Sequence, residues 1–205
     1  MSKEEALKII LNCSKMYHEN LENKNILYIM QDKLEKISYL ETVFLSRNFL
    51  HLTGVKISNK KIKSSSEFYD LCLKNQLSIS DFEFNSNGTT AKKLNILQNI
   101  MQIHKISKMV GEYNGLKKYL YTEKLIGTVN YCIGCINKNN YYIPNTVLKE
   151  DIRDIIHNQY KVMFILRKEI KDKKYKEITY KNNKIIDANK YLKVCNKIAL
   201  NDKDI

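Results

Sequence analysis

Hydrophobic positions recur with a helical period at the start of the chain. Ala6, Ile9, Ile10, Cys13 and Tyr17 form one apolar stripe, Ser2 stands where a cap is needed, and Glu4 and Glu5 fall in the first turn, so residues 2–22 read as an amphipathic helix. Two shorter runs, 25–30 and 37–45, are rich in the β-branched and aromatic residues that suit a pleated surface and read as strands. A polar, lysine-rich loop at 56–66 leads to a serine-capped helix over 66–75. The turn SNGTT (86–90) then opens the longest helical pattern, 90–113, with Leu94, Leu97 and Met101 on a wide apolar face.

After Gly111 and Gly115 the period changes. Runs at 119–125, 128–136 and 140–144 look like strands, the last two joined by the turn NKN. Asn145 and Thr146 look like the cap of a short helix reaching about residue 156. KVMFILRK (161–168) is a compact apolar strand, 175–180 is placed to return beside it, and 187–198 forms a short helix in a lysine- and asparagine-rich tail. With helices gathered in the first half and strands in the second, the pattern predicts an α+β fold with an antiparallel sheet formed mainly by the C-terminal half. Residues 1–185 make one domain and 186–205 a basic tail or short helix.

Composition narrows the function classes. The chain of 205 residues is long enough for a sizeable core, and its 43% hydrophobic content fits a folded protein. No apolar run approaches the roughly 18 residues of a membrane span, and the acids in MSKEEALKII argue against a signal peptide, so a cytoplasmic protein without a membrane partner is expected. Five cysteines at irregular spacing do not form a disulfide framework. Cys132 and Cys135 lie in a strand-like run without a second pair, and read as ordinary buried thiols. No glycine-rich phosphate loop appears and no His/Asp/Glu spacing suits a metal, so neither cofactor nor metal is expected. The net charge is +13, carried almost wholly by lysine, and between 161 and 197 twelve basic residues face four acids. Such a field attracts polyanions.

Three polar clusters could carry chemistry. In RNFLHLTGVK (47–56), Arg47 and His51 share a face whether the stretch is strand or helix; in a strand Thr53 joins them. Read bottom-up, a hydrogen-bonded surface histidine is as good an account of this stretch as a site. In LYTEKLIGT (120–128), Tyr121 and Glu123 occupy one face of a strand, Thr122 and Lys124 the other; a solvated strand edge is the plain alternative. In YIPNTVLKED (142–151), a helix opened by Asn145 and Thr146 would offer its amides to a phosphate beside Lys149. His18, His104 and His157 read as structural.

The segments FLSRNFLHLTGVK, DFEFNSNGTTAKKL, LYTEKLIGTV and YYIPNTVLKEDIRD, in that order, resemble the phage-type nuclease domains related to barnase, EndoU, colicin and RelE toxins. The resemblance covers roughly residues 3–185. It implies N-terminal helices packed on a small curved antiparallel sheet whose concave face holds RNA, in a protein of phages or mobile elements of AT-rich bacteria. It also implies metal-independent RNA cleavage by the ribose 2′-hydroxyl, leaving a 2′,3′-cyclic phosphate. Carried onto this chain, it makes His51 the acid or base, Arg47 the phosphate holder and Thr53 its orienting group. Tyr121 and Lys124 follow, with Glu123 able to complete the pair, and Asn145, Thr146 and Lys149 bind substrate. The partner expected is RNA, either tRNA or single-stranded. Competing classes are a non-catalytic protein of the same fold that blocks a host defence nucleoprotein through its basic surface, a nucleic-acid-binding module, and an ADP-ribosyl transferase.

Overall fold

The computed structural model describes residues 1–139 and 141–194. Helix α1 (Lys3–Asn20) begins as expected: Glu5 N donates to Ser2 Oγ at 3.1 Å and Ser2 N donates to Glu5 Oε2 at 2.8 Å, a reciprocal capping box. Strands β1 (Lys24–Gln31) and β2 (Ile37–Phe44) follow as an antiparallel hairpin. A 3-10 turn (Ser46–Asn48) runs into α2 (Phe49–Thr53), and Gly54 ends that helix at φ 72°, where the absent Cβ removes the usual penalty. Then come β3 (Val55–Ile57), α3 (Ser65–Leu73), β4 (Phe82–Phe84), α4 (Thr89–Ile100) and α5 (Ile103–Ile106). The remaining strands are β5 (Met109–Tyr113), β6 (Lys124–Gly127), β7 (Cys132–Lys138), β8 (Tyr141–Leu148), β9 (Ile156–Glu169) and β10 (Glu177–Lys181).

Eight strands form one sheet in the order β1-β2-β8-β7-β6-β5-β9-β10, and β9 pairs with β1 as well. The pairings therefore return to their start. All are antiparallel except β2 with β8, which meet in parallel only at Thr42 and Tyr142. The architecture is α+β, with six of the eight strands drawn from β5 onward. The separate β3–β4 pair lies among the helices' connections.

The main core lies between the helices and one face of this sheet. Tyr17 of α1, Phe49 of α2 and Tyr69 of α3 meet with ring centroids 5.2 to 5.5 Å apart, a tilted and edge-on arrangement that aromatic quadrupoles favour. Their polar ends are satisfied: Tyr17 OH donates to Leu45 O at 2.9 Å and Tyr69 OH to Glu22 Oε2 at 3.0 Å. On the sheet, Ile26, Tyr28, Val110, Ile126, Ile133 and Val162 face this core. Alternate residues build two smaller cores on the other face. Leu27, Ile29, Met163, Phe164 and Leu166 are covered by Tyr191, and Met109, Leu125 and Cys132 by Ile152 and Ile155. Both faces of β1 are thus buried, which explains its unbroken apolar run.

Several expectations need correction. The helical pattern over 90–113 is three elements, α4, α5 and β5. Residues 109–113 are strand because both of their edges are taken by β6 and β9, a tertiary demand that overrides local periodicity. Gly111 permits that pairing: a Cβ there would lie 2.5 Å from Ile156 Cδ1. The expected strand over 119–125 is loop as far as Glu123. The helix expected from Asn145 is absent. Both Asn145 and Thr146 lie inside β8, where a register shift opposite Gly134 and Cys135 accommodates Pro144, and only a 3-10 turn (Ile152–Asp154) follows. Residues 189–194 are helical, with Tyr191 packed on Phe164. Of the helix expected over 187–198, residues 187 and 188 are not helical and 195–198 lie outside the described residues. Cys132 and Cys135 are both buried, with their thiols pushed up by desolvation. No helix among the described residues is long and apolar enough to cross a membrane.

His104 of α5 is fully buried, and neither ring nitrogen has a partner among the described residues. Burial, then the charges of Arg167, Lys105 and Lys24, lower its pKa to about 3. The unfolded chain therefore takes up this proton below about pH 6.5 while the folded chain does not, so stability falls as pH drops from there toward 3. Urea denaturation at pH 7 and pH 4.5 should show His104→Leu losing less stability than the wild type by about 2 kcal/mol over that interval. Parallel losses in the two proteins would refute the assignment.

Candidate active site and basic cleft

The stretch 47–54 is resolved as structure first. Phe49, Leu52 and Thr53 are buried, whereas Arg47 and His51 are exposed on the outer side of the turn and α2. Thr53 does not face solvent; its hydroxyl donates to Leu50 O at 2.7 Å and accepts from Val55 N at 3.3 Å. The helical alternative therefore holds, and Thr53 is separated from the Arg47–His51 face. The His51 imidazole has a lowered pKa, first from partial burial and then from the charge of Lys93, whose Nζ donates to His51 O at 3.1 Å. No hydrogen bond or ion pair among the described residues joins Arg47 or His51 to Tyr121 or Lys124.

Lys124 belongs to a different cluster. Glu112 on β5, Lys124 on β6, and His157 and Asn158 on β9 come together at the end of the sheet where the β5–β6 loop departs. Glu112 Oε1 accepts from Lys124 Nζ at 2.7 Å, while Glu112 Oε2 accepts from Asn158 Nδ2 at 3.0 Å and lies 3.1 Å from His157 Nε2. Lys124 is mostly covered, with 19% of its side chain exposed, whereas His157 remains open at 55%.

Adjacent residues of a regular strand point to opposite faces, so His157 and Asn158 would not ordinarily reach one carboxylate. A bulge brings them together. Glu112 pairs with His157 and Val110 with Tyr160, leaving Gly111 opposite both Asn158 and Gln159, and Asn158 takes φ 50°. A non-glycine residue in the left-handed region carries strain, which is found where a surrounding structure fixes a side chain's aim. The hydrogen bonds from Lys124 and Asn158 hold the Glu112 carboxyl below the usual carboxylate range, with the Lys124 and His157 charges adding to them.

The third group of expected residues borders a cleft of about 980 Å³. Its walls are the first turns of α4, the loop residues 116–120, and the end of β8 with residues 149 and 150. Thr146 and Lys149 line it, joined by Lys92, Lys93, Lys117 and Lys118. Lys117 is paired with Glu150, and Lys93 is drawn to His51 O with its pKa lowered by burial. Lys92, Lys118 and Lys149 have no ion pair among the described residues, so the cleft presents positive charge to solvent. Asn145 lies beside it, its amide donating to Tyr121 O. Glu123 is turned to the next hairpin, accepting from Asn137 N at 3.2 Å. One loop serves both places: residues 114–123 leave β5 just past Glu112, border the cleft, and re-enter the sheet at Lys124.

Glu112 and His157 were not among the sequence candidates. Glu112 was hidden in a helical pattern, and the residues that matter for His157 are the glycine across the sheet and the asparagine that follows it. A clue was present in MVGEY (109–113), a β-branched and aromatic run with a glycine at its centre. Among the described residues no group of three or more His, Cys, Asp or Glu side chains could hold a metal ion.

The helix-backed, largely antiparallel sheet makes this an α+β domain, and three of its neighbouring strands bring a carboxylate, a lysine and an imidazole together. The match to a family model makes this specific: over residues 9–184 the chain matches the phage-Barnase-EndoU-ColicinE5/D-RelE like nuclease 4 family, and it belongs to that family. Neither curated proteins nor solved structures gave a match.

The electrostatic reading of Glu112 has a direct check. A carboxyl-carbon NMR titration should find its pKa lowered from the usual glutamate value, and Lys124→Met should move it upward by removing the strongest lowering contact. An unchanged Glu112 pKa in that variant would break the coupling.

Proposed function

We propose that the protein is a metal-independent endoribonuclease of a phage or mobile element, acting on RNA in the cytoplasm of its bacterial host, with Glu112, His157 and Lys124 as its reacting groups. The observation that carries this reading is the convergence of Lys124, His157 and Asn158 on the Glu112 carboxylate at a bulge in β9. Glu112, ionised at neutral pH, takes the proton of the ribose 2′-hydroxyl. The 2′-oxygen bonds to phosphorus, the bond from phosphorus to the 5′-oxygen breaks, and protonated His157 gives its proton to that leaving oxygen. The products are a 2′,3′-cyclic phosphate and a 5′-hydroxyl.

Lys124 offsets the negative charge that builds on the phosphoryl oxygens. As Lys124 turns from Glu112 toward the phosphate, the carboxylate loses the contact that most lowers its pKa and becomes a stronger base. Imidazoles exchange protons readily near neutral pH, which suits His157 to the acid step. The basic cleft supports a nucleic-acid substrate, since cation-lined grooves gather phosphate chains. In this reading His51 and Arg47 stand outside the reacting set, His51 beside Lys93 at the cleft.

Incubating the protein with tRNA and with a single-stranded RNA in EDTA should yield fragments ending in 2′,3′-cyclic phosphate. Glu112→Gln and His157→Ala should each lower the rate by about a hundredfold or more, while His51→Ala leaves it within a few-fold. Cleavage that persists in Glu112→Gln but is lost in His51→Ala would return the chemistry to α2. Salt-sensitive RNA binding with no cleavage by any form would favour a non-catalytic binder.

A further inference from the structure

The loop between β5 and β6 reads LKKYLY over 116–121, and its aromatic residues are in water. Tyr119 has a relative exposure of 103% and Tyr121 of 76%, with Leu116 at 70% beside them. By contrast, Tyr17, Tyr28 and Tyr69 are wholly enclosed, and outside this loop Tyr39, at 49%, is the other markedly exposed tyrosine among the described residues. The loop is nevertheless pinned at both ends. Lys117 N donates to Tyr113 OH at 2.6 Å, Asn114 Nδ2 donates to Asp154 O at 3.3 Å, Asn145 Nδ2 donates to Tyr121 O, and Thr122 Oγ1 donates to Cys135 O at 3.1 Å. Such anchoring holds the backbone that carries the rings, so less of the loop has to be ordered on binding.

Tyr119 and Lys118 also border the cleft, facing Lys92 and Lys149. Thr146, 7% exposed, lines the same space, and among the described residues its hydroxyl has no hydrogen-bond partner. Positive charge tracks a phosphate chain, and an exposed ring stacks on any base whose face is free. A duplex hides those faces within its own stack; an unpaired strand offers them.

We propose that the cleft and its loop grip an unpaired polynucleotide strand, with backbone phosphates against Lys92, Lys118 and Lys149 and successive bases stacked on Tyr119 and Tyr121. The protein thereby selects single-stranded over duplex RNA. This deepens the ribonuclease reading and rests on it only for the substrate's identity; the grip itself does not require cleavage.

The test is binding of a short fluorescent 2′-O-methyl RNA, which lacks the nucleophilic hydroxyl and so cannot be cut by the proposed route, beside a blunt duplex of the same sequence. Wild type should prefer the single strand. Replacing both rings, Tyr119→Ala with Tyr121→Ala, should weaken single-strand binding by on the order of a hundredfold and leave duplex binding unchanged, while Tyr119→Trp with Tyr121→Trp retains the preference. Lys118→Ala with Lys149→Ala should weaken the single strand and flatten its salt dependence. Equal binding of strand and duplex by wild type, or an alanine variant that binds the strand as wild type does, would overturn the proposal. Ring-dependent binding by a protein that cleaves no RNA would uphold the grip and defeat the ribonuclease; cleavage without ring dependence would do the reverse.

Discussion

Strand β9 holds two obligations at once. Its C-terminal part pairs with β1, the first strand of the sheet, while its N-terminal part pairs with β5, and Lys161 is matched to both Gln31 and Met109. At Lys161, and again over 164–167 where β10 joins, both edges of the strand are taken, which fixes its register and ties the N-terminal hairpin to strands that arrive much later in sequence. The same constraint limits where an irregularity can be absorbed. One of its bulges falls at Asn158, where β9 has left β1 and answers only to β5. Sheet closure and the aim of His157 are consequences of one pairing pattern.

The sequence and the structure agree where local chemistry decides the outcome. The cap at Ser2, the strands β1 and β2 and the apolar β9 run were all readable, because caps, alternation and burial leave local marks. They part where a distant partner decides. Met109–Tyr113 can satisfy a helical period, and nothing nearby reveals that β6 and β9 will claim its edges. Asn145-Thr146 has the composition of a helix cap, yet the segment is held as strand by β7 along its length. RNFLHLTG was legible as an exposed Arg–His face, while the apolar residues between them, Phe49 above all, pack α2 into the Tyr17–Tyr69 cluster. Of the site, Lys124, Thr146 and Lys149 could be seen as polar residues in suggestive company. Glu112 and His157 could not, since their meeting depends on a bulge that no short stretch encodes.

The two polar regions divide the electrostatic work. Around Glu112 the charges are paired, so that region is nearly neutral and depends on geometry. The cleft has more cations than its one carboxylate can pair, and it depends on field. Residues 114–123 physically join the two, starting beside the carboxylate and ending at the lysine that binds it. The loop that walls the cleft thus runs straight into Lys124, so a shift in one region is carried directly to the other.

Gly111 gives this arrangement an unexpected vulnerability. It has no side chain, touches no substrate and carries no charge, yet the space above it is already filled by Ile156, the residue immediately before His157. One added methyl group there would press on β9 just upstream of the imidazole and drive the strands apart across the very bulge that brings His157 to Glu112. The meeting of these side chains therefore depends on a carbon that is not there.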